Sequence, residues 1–195
     1  MSISRPRRRP SPIRALAATI LVGLIVVGQS GCRQSLLNYR VPMSVTVRSG
    51  SFGQGEDIPA RFSCDGANVS PEISWSTLPA NTRSLTMIVT DSDSLFGSYV
   101  HWLLYNLPPA PTTLAEGVPR GELLPSGARQ GLSSDNTIGY TGPCPPGSSP
   151  HRYVFTLYAL DSILDPQTPV NKKQLINAMK GHVLAAGRLT GRYHH

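Results

Sequence analysis

The chain has 195 residues and a formal net charge of +7, a length that fits one domain plus a targeting segment. Arg5, Arg7, Arg8, Arg9 and Arg14 all fall within the first 32 residues, which hold no acid, so the remainder carries only +2. No basic stripe interleaved with aromatics follows, which excludes nucleic acid as an expected partner.

After the basic start, Ala15 to Gly28 form a mostly apolar run of fourteen residues. It is too short for a comfortable membrane span and has the length of a signal-peptide core. The stretch "QSGC" ends at Cys32. Small residues before a cysteine resemble a bacterial lipoprotein cleavage site, where the cysteine is acylated and becomes the first mature residue. Ser30 and Gly31 fit that pattern; Gln29 stands where an aliphatic residue is preferred. Residues 1–32 are therefore expected to be a signal peptide of lipoprotein type, 33–43 a tether, and 44–195 the folded domain. An ordinary cleaved signal and an uncleaved anchor are the alternatives. The expected location is outside the cytoplasm, in the cell envelope, either membrane-anchored through lipid on Cys32 or periplasmic. With Cys32 lipidated, Cys64 and Cys144 are left over, and an oxidising compartment lets them pair.

From Met43 onward, strand-length segments alternate with Pro, Gly, Asn and Asp. "MSVTVRS" alternates apolar and polar residues. "DIPARFSCDG" follows the turn-prone "GQGE". "PEISWSTLP" places Ile73 and Trp75 on one face. "SLTMIVTD" and "YVHWLLYNLPP" are strong strands, the second closed by Pro108 and Pro109. Ala110 to Gly139, rich in Gly, Pro and Ser, reads as long connecting loops that hold little core. "HRYVFTLYALD" is apolar on both faces, which predicts a central strand covered on both sides. "PVNKKQLINAMKG" predicts a helix with Pro169 in its first turn, Gly181 just past its end, and Val170, Leu175, Ile176 and Met179 on one side. The tail "HVLAAGRLTGRY" predicts a short strand.

The chemistry gathers at strand ends. Asp91 and Asp93 close one apolar strand, His101 heads the next, and His151 opens "HRYVFTLYALD". His151 and Tyr153 share a face, with Arg152 on the other. Each residue alone has a bland reading, as a capped loop acid or a satisfied structural histidine. Together they form a more specific constellation. "GYTGPCPPGSSPHRY" adds stiff, donor-poor backbone before His151, with Gly139, Gly142 and Gly147 permitting close approach.

Taken in order, "SPEISW", "DSDS", "HWLLYNLPP", "GPCPP" and "HRYVFTLYALD" resemble the phosphatidylethanolamine-binding protein family, in its bacterial Raf-kinase-inhibitor-like (YbhB/YbcL-type) branch. The resemblance spans roughly Val45 to Tyr193. The family's acid motif usually reads Asp-Pro-Asp-x-Pro; here Ser92 and Leu95 replace the two prolines and loosen the loop that carries Asp93. The resemblance implies a mainly β fold, with two antiparallel sheets and a few peripheral helices. It also implies a small pocket for an anionic or phosphate-bearing head group. Asp91, Asp93, His101, His151 and Tyr153 would line it, with Cys144, Pro145 and Pro146 as its wall. Tyr140, just before the Gly-Pro loop, is a further candidate.

Two imidazoles suit a phosphate, which wants donors, and a nearby carboxylate favours their charged form. No cofactor, metal or catalytic residue is expected. The leading expectation is thus a binding protein for a small phosphate-bearing ligand, able to modulate a partner kinase or protease. One alternative is a metal-dependent or acid–base enzyme built on Asp91, His101 and His151. Against it, the chain has neither a Gly-x-Ser-x-Gly nor a His-Glu-x-x-His motif. The other alternative is a structural envelope lipoprotein with a relict pocket.

Overall fold

Two antiparallel sheets carry the fold in this computed structural model, which describes residues 41–195 apart from Phe96. The expected signal peptide, Cys32 and residues 33–40 lie outside the described residues. The small sheet joins β1 (Val47–Arg48), β2 (Ile73–Trp75) and β5 (Thr113–Leu114) in the order β1-β2-β5. The large sheet is built from β3 (Ser84–Asp91), β4 (Tyr99–Leu107), β6 (Arg129–Gln130), β7 (His151–Leu160) and β8 (Val183–Tyr193). Its strand order is β6-β4-β3-β7-β8.

The two-faced pattern of β7 has its predicted consequence. Tyr153, Phe155, Leu157 and Ala159 enter a core with Val47, Ile73, Trp75 and Trp102, between the sheets. Leu160, on the opposite face, joins Ile88, Leu103 and Tyr105 against Leu175 and Met179 of the helix α1 (Lys172–Met179). Each buried side chain of this size contributes about 1.5–3 kcal/mol, so the doubly covered centre of the sheet is its firmest part.

Helix α1 starts later than the sequence suggests. Asn171 caps it: its Oδ1 accepts the Gln174 N–H at 3.0 Å, and Gln174 Oε1 accepts the Asn171 N–H at 2.9 Å. This capping box outcompetes Pro169 as the start signal, so Pro169 and the buried Val170 precede the helix. Leu175 and Met179, one turn apart, face the sheet, whereas Ile176 is 39% exposed. Gly181 sits just past the end with φ +82°.

Four expectations are corrected. "MSVTVRS" forms a strand only at Val47–Arg48. "DIPARFSCDG" holds a 3-10 turn at Ala60–Phe62 rather than a strand, because Pro59 has no N–H for a ladder and its carbonyl accepts the Phe62 N–H at 2.9 Å. The region 110–139 supplies β5, β6 and the buried Leu114, Leu124, Ala128 and Gln130. Gln130 earns its burial: Oε1 accepts Trp102 Nε1–H at 2.7 Å, and Nε2 donates to the Pro119 and Gly121 carbonyls. The tail strand β8 is long, eleven residues paired along β7. Glycine hides its alternation: a Cβ on Gly187 would stand 2.0 Å from the Val45 carbonyl oxygen, and one on Gly191 2.5 Å from Ile58.

Candidate functional site

Asp91 ends β3 and lies opposite Tyr99 of β4 and Tyr153 of β7. His151 begins β7. The antiparallel order therefore brings the close of one strand and the openings of two others to one end of the large sheet. His101 reaches the same end through a break in register. Val89 pairs with Trp102 but Thr90 pairs with Val100, so His101 is the extra residue of a β-bulge. A bulge re-aims its side chain, and here His101 joins Tyr99 on the cleft side while Val100 stays in the outer core. The segment around Thr141 then clamps His101 twice: Thr141 N–H donates to the His101 carbonyl at 3.0 Å, and His101 Nδ1–H donates to the Thr141 carbonyl at 2.9 Å.

Asp91 and His151 form a direct pair, with His151 Nδ1–H donating to Asp91 Oδ2 at 2.6 Å. Both side chains are nearly buried, 10% exposed for His151 and 6% for Asp91. The other carboxylate oxygen, Oδ1, accepts the Asp93 N–H at 2.8 Å. Asp91 is therefore fully committed to holding His151 and its own loop. Burial lowers the His101 pKa, opposed by its carbonyl partners and the Asp91 charge. Nδ1 of His101 is thus held by the Thr141 carbonyl and Nδ1 of His151 by Asp91.

Asp91, His101 and His151 line a cavity of about 260 Å³ together with Cys144 and Pro146. Ser94, Leu95, Tyr99, Asp135, Thr141 and Gly142 complete it; of these the sequence marks only Gly142, in the stiff loop before His151. Tyr99 carries a signal in the sequence as well, because it stands two residues before His101 on the same side of a strand. Burial and the neighbouring Asp135 push the Tyr99 phenol pKa upward. The wall at Gly142 requires glycine: a Cβ there would meet the Phe62 carbonyl oxygen at 2.3 Å.

Four of the expected residues stand elsewhere. Asp93 turns away and accepts from Arg152: its Oδ2 takes the backbone N–H and Nε, and its Oδ1 takes Nη2 at 2.6 Å. That guanidinium holds the Asp93 carboxyl at about 2. Tyr140 is core, its hydroxyl donating to the Phe62 carbonyl and its ring edge-on to Trp102 at 5.5 Å. Tyr153 supports His101 from below, ring to ring at 5.1 Å, and is itself 1% exposed. Pro145 is buried behind the wall, its carbonyl accepting from His195 Nε2. Cys144 is joined to Cys64 by a disulfide with a Cα–Cα distance of 5.5 Å, and the Cys64 N–H donates to the Pro143 carbonyl. Asp91, His101 and His151 do not meet as metal ligands: Asp91 Oδ2 faces His151 Nδ1 instead of a shared centre.

Fold and cleft define a two-sheet antiparallel β protein with a small, mostly apolar pocket that holds a few polar groups where the strands of one sheet end. The sequence profile of the phosphatidylethanolamine-binding protein family matches residues 48–194. A UPF0098 protein of Methanothermobacter thermautotrophicus is 42% identical over 149 residues, covering 76% of this chain and 98% of that one. The crystal structure of a phosphatidylethanolamine-binding protein homologue from Chlamydia trachomatis is similar with a TM-score of 0.72 at 39% identity, covering 78% of this chain and 99% of the other. Escherichia coli YbcL, described as a new member of the mammalian family, gives a TM-score of 0.71 at 28% identity, with 77% and 98% covered. The chain belongs to the phosphatidylethanolamine-binding protein family.

Proposed function

We propose that this domain binds a small phosphate-bearing head group in the cleft at Asp91, His101 and His151. The observation that carries the reading is the Asp91–His151 pair, buried and held at 2.6 Å, in the same cavity as a second imidazole. A ring fixed through Nδ1 presents Nε2 in one direction, and its imidazolium form donates a strong, charge-assisted bond to a phosphate oxygen. His101 plays the complementary part. Burial keeps its free ring neutral, so its Nε2 accepts from the hydroxyl of a singly charged phosphate or gains a proton as the anion enters. Binding is then coupled to proton uptake and tightens as the pH falls. Asp135 at the same cavity gives an amino group somewhere to sit.

The wider setting belongs to the same proposal. Residues 1–32 direct export, and Cys32 carries a lipid that holds the domain at the envelope membrane. No helix among the described residues is long and apolar enough to cross a membrane. In that place the domain modulates a partner kinase or protease through its occupied pocket.

Titration calorimetry of the full chain with phosphoethanolamine and glycerol phosphate, in two buffers of different ionisation enthalpy, tests the pocket. The expected result is binding with proton uptake, abolished in His151→Ala. Absence of heat and of any thermal shift at millimolar ligand would overturn it. Unchanged binding in a His101→Ala, His151→Ala double variant would mark the pocket as a relict. The Asp91–His151 pair also supports a second reading, because a carboxylate orienting an imidazole is an acid–base arrangement and Ser94 lines the same cavity. Release of inorganic phosphate from either ligand, lost in His151→Ala, would favour it.

A further inference from the structure

Among the described residues, one group of three side chains is of metal-ligand type. The ligand atoms of Cys64, Cys144 and His195 lie within 4.8 Å of one another, and all three residues are exposed. We propose that the dithiol form of the protein binds a thiophilic divalent cation such as Zn2+ through Cys64, Cys144 and His195. In the structure the two sulfurs are spent on each other. Two molecules of a thiol reductant of the glutathione class together supply two electrons and two protons, open the bond to two thiols and leave joined as their own disulfide. The cation then displaces both thiol protons and the proton on His195 Nε2, while Nδ1–H stays on Asp65.

Three features make this more than a chance meeting. His195 Nδ1–H donates to Asp65 Oδ2 at 2.7 Å, and the same oxygen accepts from Tyr193. A carboxylate behind a histidine is the arrangement that fixes ring orientation and raises ligand strength at metal sites. The Nε2–H now donates to the Pro145 carbonyl at 3.0 Å, beside Cys144, so the nitrogen that must turn to the metal already faces the right loop. Zn–S bonds of about 2.3 Å at a tetrahedral angle set two sulfurs about 3.8 Å apart. Cα atoms 5.5 Å apart leave the Cys64 and Cys144 side chains room to swing to that spacing. Solvent reaches the cluster and supplies the fourth ligand.

The site has a mechanical sense as well. Gly142 N–H donates to Asn68 Oδ1 at 2.7 Å, and the Cys64 N–H holds the Pro143 carbonyl, so residues 142–144 hang on the segment 64–68. Cys144 also lines the cleft. A bridging cation would keep that wall tied when the disulfide is gone. This inference does not depend on what the cleft binds.

The test uses the full chain carrying Cys32→Ser, so that only two thiols form on reduction, with Co2+ as a spectroscopic probe and Zn2+ as competitor. The reduced protein should show a thiolate-to-cobalt charge-transfer band and tetrahedral d–d bands at one equivalent, both erased by Zn2+. The oxidised protein should show neither. Cys64→Ser should abolish the bands and His195→Ala should weaken them. Asp65→Asn should cost about tenfold or more in affinity, as loss of an orienting partner does. His194→Ala should bind as the parent does. If reduction unfolds the domain, Zn2+ should refold it. Two free thiols with no thiolate band, equal affinity in the oxidised protein, or indifference to His195→Ala would each overturn the proposal.

Discussion

The two ends of β7 carry the same two side chains in different surroundings. At its start, His151 donates to Asp91 at 2.6 Å with both groups nearly out of water. Past its far end, His182 donates to Asp161 at 2.9 Å, and the two are 45% and 42% exposed. The first pair bridges two strands that are 60 residues apart in sequence and faces a cavity; the second clips the β7–β8 connection in solvent. The difference teaches that what excludes water around a His–Asp contact decides how strongly its two members depend on each other. In water the attraction is screened and side-chain entropy offsets it; in the cleft each group depends on its partner for the hydrogen bond that water would otherwise supply.

The largest expected effect breaks the buried pair. Asp91→Ala should lower the unfolding free energy by about 1–3 kcal/mol, since it leaves the buried His151 N–H without its acceptor. Asp161→Ala should change it by about 0–1 kcal/mol. Urea denaturation of both variants measures the contrast, and equal losses would erase it. Next comes the wall beside the pair. Gly142→Ala forces a Cβ to 2.3 Å from the Phe62 carbonyl, and overpacking of this kind costs about 1–3 kcal/mol. Its melting temperature should fall, whereas Gly147→Ala, in open space, should show only the smaller cost of its positive φ.

A pH series sharpens the comparison further. Burial keeps the folded His101 pKa below the ordinary 6.5, so the unfolded chain binds a proton first as the solution is acidified. The stability that the neutral ring contributes is intact above 6.5 and is lost as the pH falls from there toward the depressed folded value. Melting curves should show that slope, and His101→Asn should flatten it while Asp91 and Asp135 remain. The smallest effect belongs to Asp93. Its carboxyl is held at about 2 by Arg152, so its contribution is present above the ordinary 3.8 and disappears as the pH falls between those values. Arg152 is 61% exposed, so Asp93→Asn should cost little at neutral pH, and that little should shrink with added salt.

Much of this site was legible in the sequence for a geometric reason. Strands end where loops begin, and Asp91, His101 and His151 sit at the ends of three strands whose patterns are clear. The alternation of β7 and the motifs shared with the family then placed them in one fold. What stayed hidden depends on contacts between distant residues. Asp93 differs from Asp91 only by two positions, yet Arg152, 59 residues on, draws it outward. Asp135 and Thr141 lie in a stretch without periodicity that is positioned by pairing to β4. The bulge at His101 leaves no trace in composition, since an extra residue in a ladder shows only once the partner strand is known. The length of β8 was masked because Gly187 and Gly191 occupy positions where a periodic strand would show side chains.

The bond between Cys64 and Cys144 spans 80 residues and turns the segment between them into a covalent ring enclosing β2 through β6. A protease that nicks the exposed segments 125–127 or 134–136 therefore separates nothing. The cut protein should run as one band on a non-reducing gel and as two once thiol is added. The nick opens the ring but leaves the disulfide as a tether, so a nicked, oxidised molecule should regain its sheets far more readily than the same two fragments mixed after reduction.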